Sequence, residues 1–217
     1  MPRRGPAIKL SRGQRRFRYA GRRTLATVLA AAVLAGLVLA DRVGLFGRAP
    51  TPDREKYDGR QFKIVSVVDG DTVHIDCPDG RRNYTIVRLL GVDTPEVVKP
   101  NTPPQYFGPE ASRFTKQIAL GRTVAVQLDH ERTRDGYGRL LAYLILPDGK
   151  NLDLEIVEQG YGYADPRFPH PMEREFQRAQ KQAKDAARGL WKDARDEDLP
   201  YYYRGKLKLP TRPAAAV

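Results

Sequence analysis

Residues 61–76, QFKIVSVVDGDTVHID, carry the clearest structural signal in this sequence of 217 residues. Gln61 to Val68 and Thr72 to Asp76 are rich in β-branched residues and run apolar or alternating, which predicts two strands. Asp69-Gly70-Asp71 separates them, and a turn is the simplest interpretation of these three residues. The stretch therefore predicts a strand, a turn and a second strand.

Further strands and helices follow at short intervals. Asp79-Gly80 marks a turn before a third strand, and a turn containing Asp135-Gly136 joins the last two strands. The other strands are Tyr84 to Leu90, Thr123 to Asp129 and Leu140 to Leu146, and the helices are Gly108 to Gly121, Leu152 to Gln159 and Glu173 to about Arg188. This count predicts an OB-type five-stranded β-barrel with three helices packed on it.

The composition excludes several classes of protein. Hydrophobic residues make up 41% of the sequence, enough for a packed core, and 29% charged residues exclude a polytopic membrane protein. Cys77 is the only cysteine, so a disulfide-stapled fold and a CxxC zinc or redox site within one chain are also excluded. The three histidines, His74, His130 and His170, show no ligand spacing, which disfavours zinc.

The net charge of +12 is concentrated at the N-terminus. Residues 1–23 contain nine basic residues and no acidic ones, so the rest of the chain, with 29 basic and 26 acidic residues, has a net charge of +3. Leu25 to Ala40 follow and contain no charged residue. This layout is typical of a protein whose N-terminal cations stay in the cytoplasm while the rest of the chain is exported. Most of the charge therefore indicates membrane topology and is weak evidence for DNA binding.

The apolar run predicts an N-terminal hydrophobic signal or anchor helix. Its 16 residues would span about 24 Å, against a hydrocarbon core of about 30 Å. We favour a retained signal anchor, which leaves the folded domain extracytoplasmic at the cell membrane; a cleaved signal peptide, which leaves it secreted or periplasmic, stays open. The expected organisation is a basic cytoplasmic tail at 1–23, the anchor or signal peptide at 24–46, a linker at 47–60, the barrel domain at 61–195 and a C-terminal tail at 196–217.

Arg88 stands out in the run VRLLGVDTPE, residues 87–96. It lies two residues after Ile86, so the two side chains should point to the same, apolar face of the strand. A guanidinium on that face costs free energy unless it pairs with an anion. Asp93 and Glu96 follow as the strand ends. A structural salt bridge with an Asx-type turn would also explain these residues.

Strand pairing joins the two acidic clusters into one site. The second strand leaves Asp71 and the third returns toward Asp93, so antiparallel pairing puts both carboxylates at one end of the sheet. Arg88 and Glu96 flank that end. Two carboxylates with a third nearby form an oxygen-rich site for a hard divalent cation, Ca²⁺ or Mg²⁺.

Arg139 is a second unexplained cation. A glycine-rich hairpin turn accounts for DGYG at residues 135–138, but not for an arginine at the start of an apolar strand. A metal ion and two arginines are suited to the hydrolysis of a phosphodiester. The metal polarises a water for the attack, and the arginines match the negative charge of the transition state. Glu96 would then orient or deprotonate the water.

Four motifs together resemble one known family. VDGDTV (68–73), RLLGVDTPE (88–96), YFGPEAS (106–112) and RDGYGRLLAY (134–143) occur in the order and spacing of the staphylococcal-nuclease-like (thermonuclease) family. The resemblance covers about Phe62 to Trp191. It implies an OB-type barrel with three helices and a Ca²⁺-dependent endonuclease that acts on DNA and RNA, cleaving the 5′ P–O bond to leave 3′-phosphate ends.

The resemblance also implies roles for the residues at matched positions. Asp71, Asp93 and the backbone carbonyl of Thr94 look like the calcium ligands. Arg88 and Arg139 look like the pair that binds the phosphate and stabilises the transition state.

Two further roles and two departures come from the same match. Glu96 looks like the residue that handles the attacking water, and Tyr137 matches a tyrosine that lines the nucleotide pocket. The family's lysine before that tyrosine is Gly136 here, so one substrate-phosphate contact is expected to be missing. The family's two pocket tyrosines do not align with single residues; the aromatic residues nearby are Tyr161, Tyr163 and Phe168.

Two other classes of protein stay open. A non-catalytic nucleic-acid- or protein-binding OB barrel would keep the fold and lose the acids and arginines, all of which are present here. A tethered envelope scaffold would use the acids only to hold a structural calcium. We favour an exported, membrane-tethered nuclease with DNA and RNA as substrates, with no protein partner inferred and a monomeric state expected.

Overall fold

The computed structural model describes residues 31–36, 52–97, 104–129, 132–207 and 209. The chain divides into two compact units, Met1–Pro50 and Thr51–Val217. In the first unit residues 31–36 are helical; the basic tail predicted at 1–23 and the remainder of the predicted signal segment lie outside the described residues. No helix within the described ranges is both long and apolar enough to cross a membrane.

Five strands of the second unit close into a barrel. In chain order its strands are β1 Gln61–Val67, β2 Thr72–Ile75, β3 Thr85–Leu89, β4 Val92–Asp93, β5 Thr123–Leu128, β6 Leu140–Ile145 and β7 Tyr163–Ala164. The barrel has the order β1-β2-β3-β6-β5, in which β3 and β6 pair in parallel, while β4 and β7 form a separate two-stranded sheet. The predicted five-stranded barrel is confirmed, with each strand within one residue of its expected ends.

Alternation of side chains explains why this barrel has a packed interior. Along β3, Val87 and Leu89 point inward and are buried, whereas Ile86 and Arg88 lie on the outer face. The strands on either side also turn valine, isoleucine and leucine inward. Because the interior is filled, groups that meet a ligand must lie on the outer face or at the rim.

Four α-helices pack around the barrel in the described part of this unit. They are α1 Pro52–Tyr57, α2 Gly108–Ala119, α3 Leu152–Glu158 and α4 Glu173–Asp185, followed by 3₁₀ turns at Gly189–Lys192 and Asp196–Asp198. α2, α3 and α4 are the three predicted helices. The last ends about one turn earlier than expected, before Ala187, which has a positive φ of 49°.

Two segments predicted to lie outside the barrel domain are packed against the rest of this unit. α1 lies in the predicted linker, yet Tyr57 is fully buried and its hydroxyl lies 2.9 Å from the Thr85 hydroxyl. In the predicted C-terminal tail, Leu199 is fully buried and Tyr202 is 6% exposed. The body built around the barrel therefore extends from at least Pro52 to the residues after Tyr202.

Asp153 fastens the ends of two barrel strands to α3. It is fully buried, and its two carboxylate oxygens accept the N–H groups of Leu90, 2.9 Å away, and Leu144, 3.1 Å away. Burial raises the pKa of Asp153 well above its usual value. Since Leu90 follows β3, this contact fixes the chain directly after Arg88.

Arg134 connects the hairpin of residues 132–139 to two other parts of the unit. Its guanidinium contacts Asp53 of α1 at 2.7 Å and Asp79 of the turn between β2 and β3, also at 2.7 Å. Thr133 donates a further hydrogen bond to Asp53. We call Arg134, Asp53 and Asp79 the Arg134 clamp; it positions the hairpin that carries Tyr137 and Arg139.

We expect Asp53→Asn to lower the free energy of unfolding by about 1 kcal/mol at neutral pH, because it removes one carboxylate of the clamp. The hydrogen bond from Arg134 lowers the pKa of Asp53 below its ordinary value of 3.8. The contribution of the pair is therefore present above the unfolded pKa and is lost as the pH falls through the lower folded pKa. Urea unfolding at several pH values should show the difference between wild type and variant shrinking below about pH 3.8.

Glu55→Gln is the matched control, since Glu55 lies exposed on the same helix. It should leave the free energy of unfolding unchanged at every pH. A difference between wild type and Asp53→Asn that stays constant down to the lowest pH would contradict the assignment.

Candidate functional site

The guanidinium of Arg88 forms the centre of the site on the outer face of β3. Only 12% of its side chain is exposed. Nη1 donates to the carbonyl oxygens of Leu89 and Val92, 2.9 and 2.7 Å away. Nη2 lies 3.3 Å from a carboxylate oxygen of Asp71 and 3.0 Å from one of Asp93. A single nitrogen therefore brings the two acids together, at the end of the sheet where strand pairing predicted them.

Thr94 joins the chain after β4 to the turn between β1 and β2. Its N–H donates to Oδ2 of Asp71 at 2.8 Å, and its hydroxyl donates to the same oxygen at 3.2 Å. Both Thr94 and Asp71 are buried. The structure thus gathers Arg88, Asp71, Asp93 and Thr94 into one cluster.

Gly70 lets this turn approach Thr94 closely. A Cβ atom on Gly70 would lie 2.7 Å from the Thr94 side chain, and the Gly70 carbonyl accepts a hydrogen bond from the Thr115 hydroxyl of α2 at 2.8 Å. Asp69-Gly70-Asp71 therefore forms a turn, and this turn positions Asp71 in the acidic cluster.

The acids in this region outnumber the basic groups that neutralise them. The acids are Asp69, Asp71, Asp93 and Asp165, and the arginines among them are Arg88 and Arg167. Burial, and then the charge of Asp71, raises the pKa of Asp69 and of Asp93. Burial alone would lower the pKa of Arg88, but Asp71 and Asp93 raise it above the ordinary value, so Arg88 stays charged.

This excess of buried and half-buried carboxyl groups fits a hard cation. The donors are all oxygen atoms, as Ca²⁺ and Mg²⁺ prefer. Among the described residues, no three side chains of His, Cys, Asp or Glu converge as a complete metal site. Two carboxylates would thus need backbone carbonyls and water to complete the shell; the Thr94 carbonyl as a ligand stays a prediction.

Glu96 lies beside the cluster, in the same cleft. The cleft has a volume of about 640 Å³ and is lined in part by Asp93, Thr94 and Glu96. The Glu96 N–H donates to the Gln105 side chain, and the Gln105 N–H donates to the Glu96 carbonyl, both at 2.9 Å. These two bonds fix the backbone of Glu96 at the edge of the cleft.

Arg139 and Tyr137 form a separate group in the hairpin. Arg139 donates to Asp135 at 2.6 Å, and its guanidinium lies 5.5 Å from the centre of the Tyr137 ring, which is 88% exposed. In the parts of the chain that the structure describes, Arg139 forms no hydrogen bond or ion pair with the acidic cluster. Arg88 pairs in parallel with Leu141 of β6, and Arg139 lies directly before that strand, roughly 7 Å along the chain from Leu141.

Arg167 and Tyr202 complete the surroundings of Asp93, and the sequence analysis identified neither. Arg167 contacts one oxygen of Asp93 at 3.0 Å and also pairs with Asp165 at 2.7 Å. The Tyr202 hydroxyl donates to the other oxygen of Asp93 at 2.6 Å. Burial, and then the charge of Asp93, raises the pKa of Tyr202, so its hydroxyl keeps its proton and acts as the donor.

The sequence around Tyr202 does contain a signal that this segment packs against the folded domain. Leu199 and the consecutive tyrosines 201–203 are unusually apolar and aromatic for a C-terminal tail. Arg167 has no such signal, because Asp165-Pro166-Arg167 has the composition of an ordinary turn.

The three aromatic residues without an assigned role lie in different environments. Tyr161 stacks on Phe114 with ring centres 4.1 Å apart. Tyr163 is 2% exposed and packs edge-on against Trp191, so it belongs to the core. Phe168 is 60% exposed beside Arg167.

Comparison with known proteins matches this chain to one family. The family model described as "Staphylococcal nuclease homologue" matches residues 86–193. The thermonuclease of Staphylococcus hyicus is 40% identical over 133 residues, covering 60% of this chain and 75% of that protein. The thermonuclease of Staphylococcus intermedius is 39% identical over 136 residues, or 61% and 77% of the two chains. Endonuclease YhcR of Bacillus subtilis is 32% identical over 172 residues, 73% of this chain but 13% of that protein.

Gly70→Ala should lower the free energy of unfolding by about 1 to 3 kcal/mol, because the new methyl group collides with the β-branched side chain of Thr94. Thr94 can move only by stretching its two hydrogen bonds to Asp71. Urea unfolding measures the loss.

Gly136→Ala serves as the control. A Cβ there meets nothing within 4 Å, so the change should stay within about 0.5 kcal/mol of wild type. If both variants were equally stable, Gly70 would not be required for the approach to Thr94.

Proposed function

Because the chain belongs to the staphylococcal nuclease family, we propose that it is a calcium-dependent endonuclease that hydrolyses DNA and RNA and leaves 3′-phosphate ends. The thermonuclease and endonuclease relatives support a nuclease, a hydrolase of phosphodiester bonds. The metal, the range of substrates and the products are the proposed part. The observation that carries the proposal is the largely buried Arg88 between Asp71 and Asp93, beside the cleft that Glu96 lines.

Two arginines would bind the phosphate of the bond to be cleaved. Arg88 is permanently charged and held by two carbonyls and two carboxylates, so its orientation is set before a substrate arrives. Arg139 lies directly before β6, the strand that pairs with β3, and its ion pair among the described residues is with Asp135 of the same hairpin, which a phosphate could replace. Their bidentate donors match the negative charge that the pentacoordinate transition state adds.

Asp71, Asp93 and the carbonyl oxygen of Thr94 would hold Ca²⁺. When bound, the cation would neutralise phosphate charge and polarise the attacking water. The contribution of the chain is to hold these oxygens together, against their mutual repulsion, through Arg88 and the bonds from Thr94.

Glu96 would handle the attacking water from the edge of the cleft. As the water oxygen bonds to phosphorus, Glu96 orients that water or accepts its proton. The bond from phosphorus to the 5′ oxygen breaks, and the leaving oxygen takes up a proton. Tyr137, exposed beside Arg139, would line the pocket for the nucleotide.

We also propose that the nuclease is exported and held at the membrane by residues 24–46. The support is the asymmetric charge around Leu25 to Ala40. An all-oxygen calcium site of extracellular grade, with a Kd of about 10⁻⁴ to 10⁻³ M, would be filled outside a cell and nearly empty in cytosol. A mass measurement of the membrane-associated protein should give the full-length N-terminus; a mass that begins near residue 41 would replace the anchor with a cleaved leader.

We expect wild-type protein to nick and linearise supercoiled plasmid in calcium and to stop in excess chelator. Arg139→Ala should cut roughly 10²- to 10³-fold more slowly, because it removes a donor to the transition state. Glu96→Gln should slow cutting while leaving calcium affinity in place. Gel electrophoresis over time gives the rates.

Arg113→Ala is the matched control, since Arg113 forms an exposed ion pair with Glu110 on α2 at 2.7 Å. It should cut at the wild-type rate. If Arg139→Ala cut plasmid at the wild-type rate, the assignment of Arg139 to phosphate binding would be wrong. Plasmid binding without cutting in calcium would favour the non-catalytic barrel.

A further inference from the structure

Residues 196–207 are docked against the nuclease site. Leu199 is fully buried in a cluster with Tyr163 and Trp191. The Tyr203 hydroxyl donates to the carbonyl of Ala164 in β7 at 2.6 Å. These contacts hold the segment between them, including Tyr202, at one wall of the cleft that contains Asp93.

Tyr202 and Arg167 together enclose the Asp93 carboxylate. The Tyr202 hydroxyl donates to Oδ2 at 2.6 Å, while Arg88 and Arg167 both contact Oδ1 at 3.0 Å. The Arg167 guanidinium lies 4.6 Å from the centre of the Tyr202 ring, so each restrains the other. Tyr202 is 6% exposed, and its hydroxyl therefore has little freedom to turn away.

We propose that Tyr202 is a positioning residue that holds Asp93 in the orientation required to bind the cation. This inference rests on the proposed function, in which Asp93 is a calcium ligand. It makes the C-terminal segment an integral part of the site, although the match to the nuclease family model ends at residue 193.

The chemistry of the hydroxyl suits this role. Asp93 ends a strand of two residues, so its backbone alone restrains the carboxylate weakly. A neutral O–H donor fixes the carboxylate and leaves its negative charge in place, whereas another cation would cancel that charge. Each carboxylate oxygen has two lone-pair directions, so Oδ2 can accept this bond and still face a metal ion. Partners that orient a metal ligand typically contribute 10- to 100-fold to metal affinity.

The test is calcium binding by Tyr202→Phe, measured by isothermal titration calorimetry on the full chain without nucleic acid. The substitution removes one oxygen and keeps the ring against Arg167. We expect the Kd for calcium to rise about 10- to 100-fold. Thermal unfolding without calcium, recorded in parallel, reports the cost of the lost bond to the fold.

Tyr203→Phe is the matched control. It removes a hydroxyl bond of the same length, 2.6 Å, from the same segment, but one that ends on a backbone carbonyl. Its stability should fall by an amount similar to that of Tyr202→Phe, while its calcium Kd stays within twofold of wild type.

Each other outcome overturns a distinct claim. An unchanged Kd in Tyr202→Phe would leave Tyr202 with a structural role only. A lower Kd would mean that the hydroxyl competes with the cation for Asp93. An equal rise in Kd for both variants would show that the effect is general loosening of the segment. Wild-type protein that binds no calcium would overturn the proposed metal dependence itself, and the role of Tyr202 with it.

Discussion

The site depends on the need to neutralise one buried guanidinium. Arg88 is placed by strand parity on an outer face that helices and loops then cover, and an unpaired charge there would cost several kcal/mol. Asp71 supplies counter-charge from the turn before β2 and Asp93 from the end of β4, and each is fixed by further bonds from Thr94, Arg167 or Tyr202. The same arrangement leaves the acids in excess. A requirement of folding thus produces a concentration of carboxylate oxygens suited to a divalent cation.

Contacts outside the cluster keep its members in place. Thr115 of α2 holds the turn at Gly70, and Asp153 holds the chain at Leu90, so both approaches to the acids are tied to helices. The Arg134 clamp does the same for the hairpin that carries Arg139. Arg139 is more exposed than Arg88, with 30% of its side chain accessible against 12%.

Local sequence patterns accounted for most of the barrel and for half of the site. The strands were predictable because β-branched runs between Gly, Asp and Pro turns leave few alternatives. Antiparallel pairing then implied that Asp71 and Asp93 meet. α1 was not predictable, because a helix of six residues is stabilised by the burial of Tyr57 rather than by propensity.

The other half of the site could not be read from local patterns. Asp93 meets Tyr202 across 109 residues and Arg167 across a turn of ordinary composition. No spacing rule connects positions so far apart, and they come together only when β4 pairs with β7. The packing of Leu199, in the segment predicted as a C-terminal tail, was not predictable for the same reason, since its partners, Tyr163 and Trp191, lie in other elements.

The distance along the chain between Asp93 and Tyr202 also sets an order of assembly. The loop that their contact closes is long, and the entropy of closing it must be offset by packing already formed elsewhere. A polypeptide emerging from a ribosome could pair its barrel strands well before residue 202 appears. The surroundings of Asp93 would be the last to be completed, so the nascent chain would acquire its fold before it acquired a finished site.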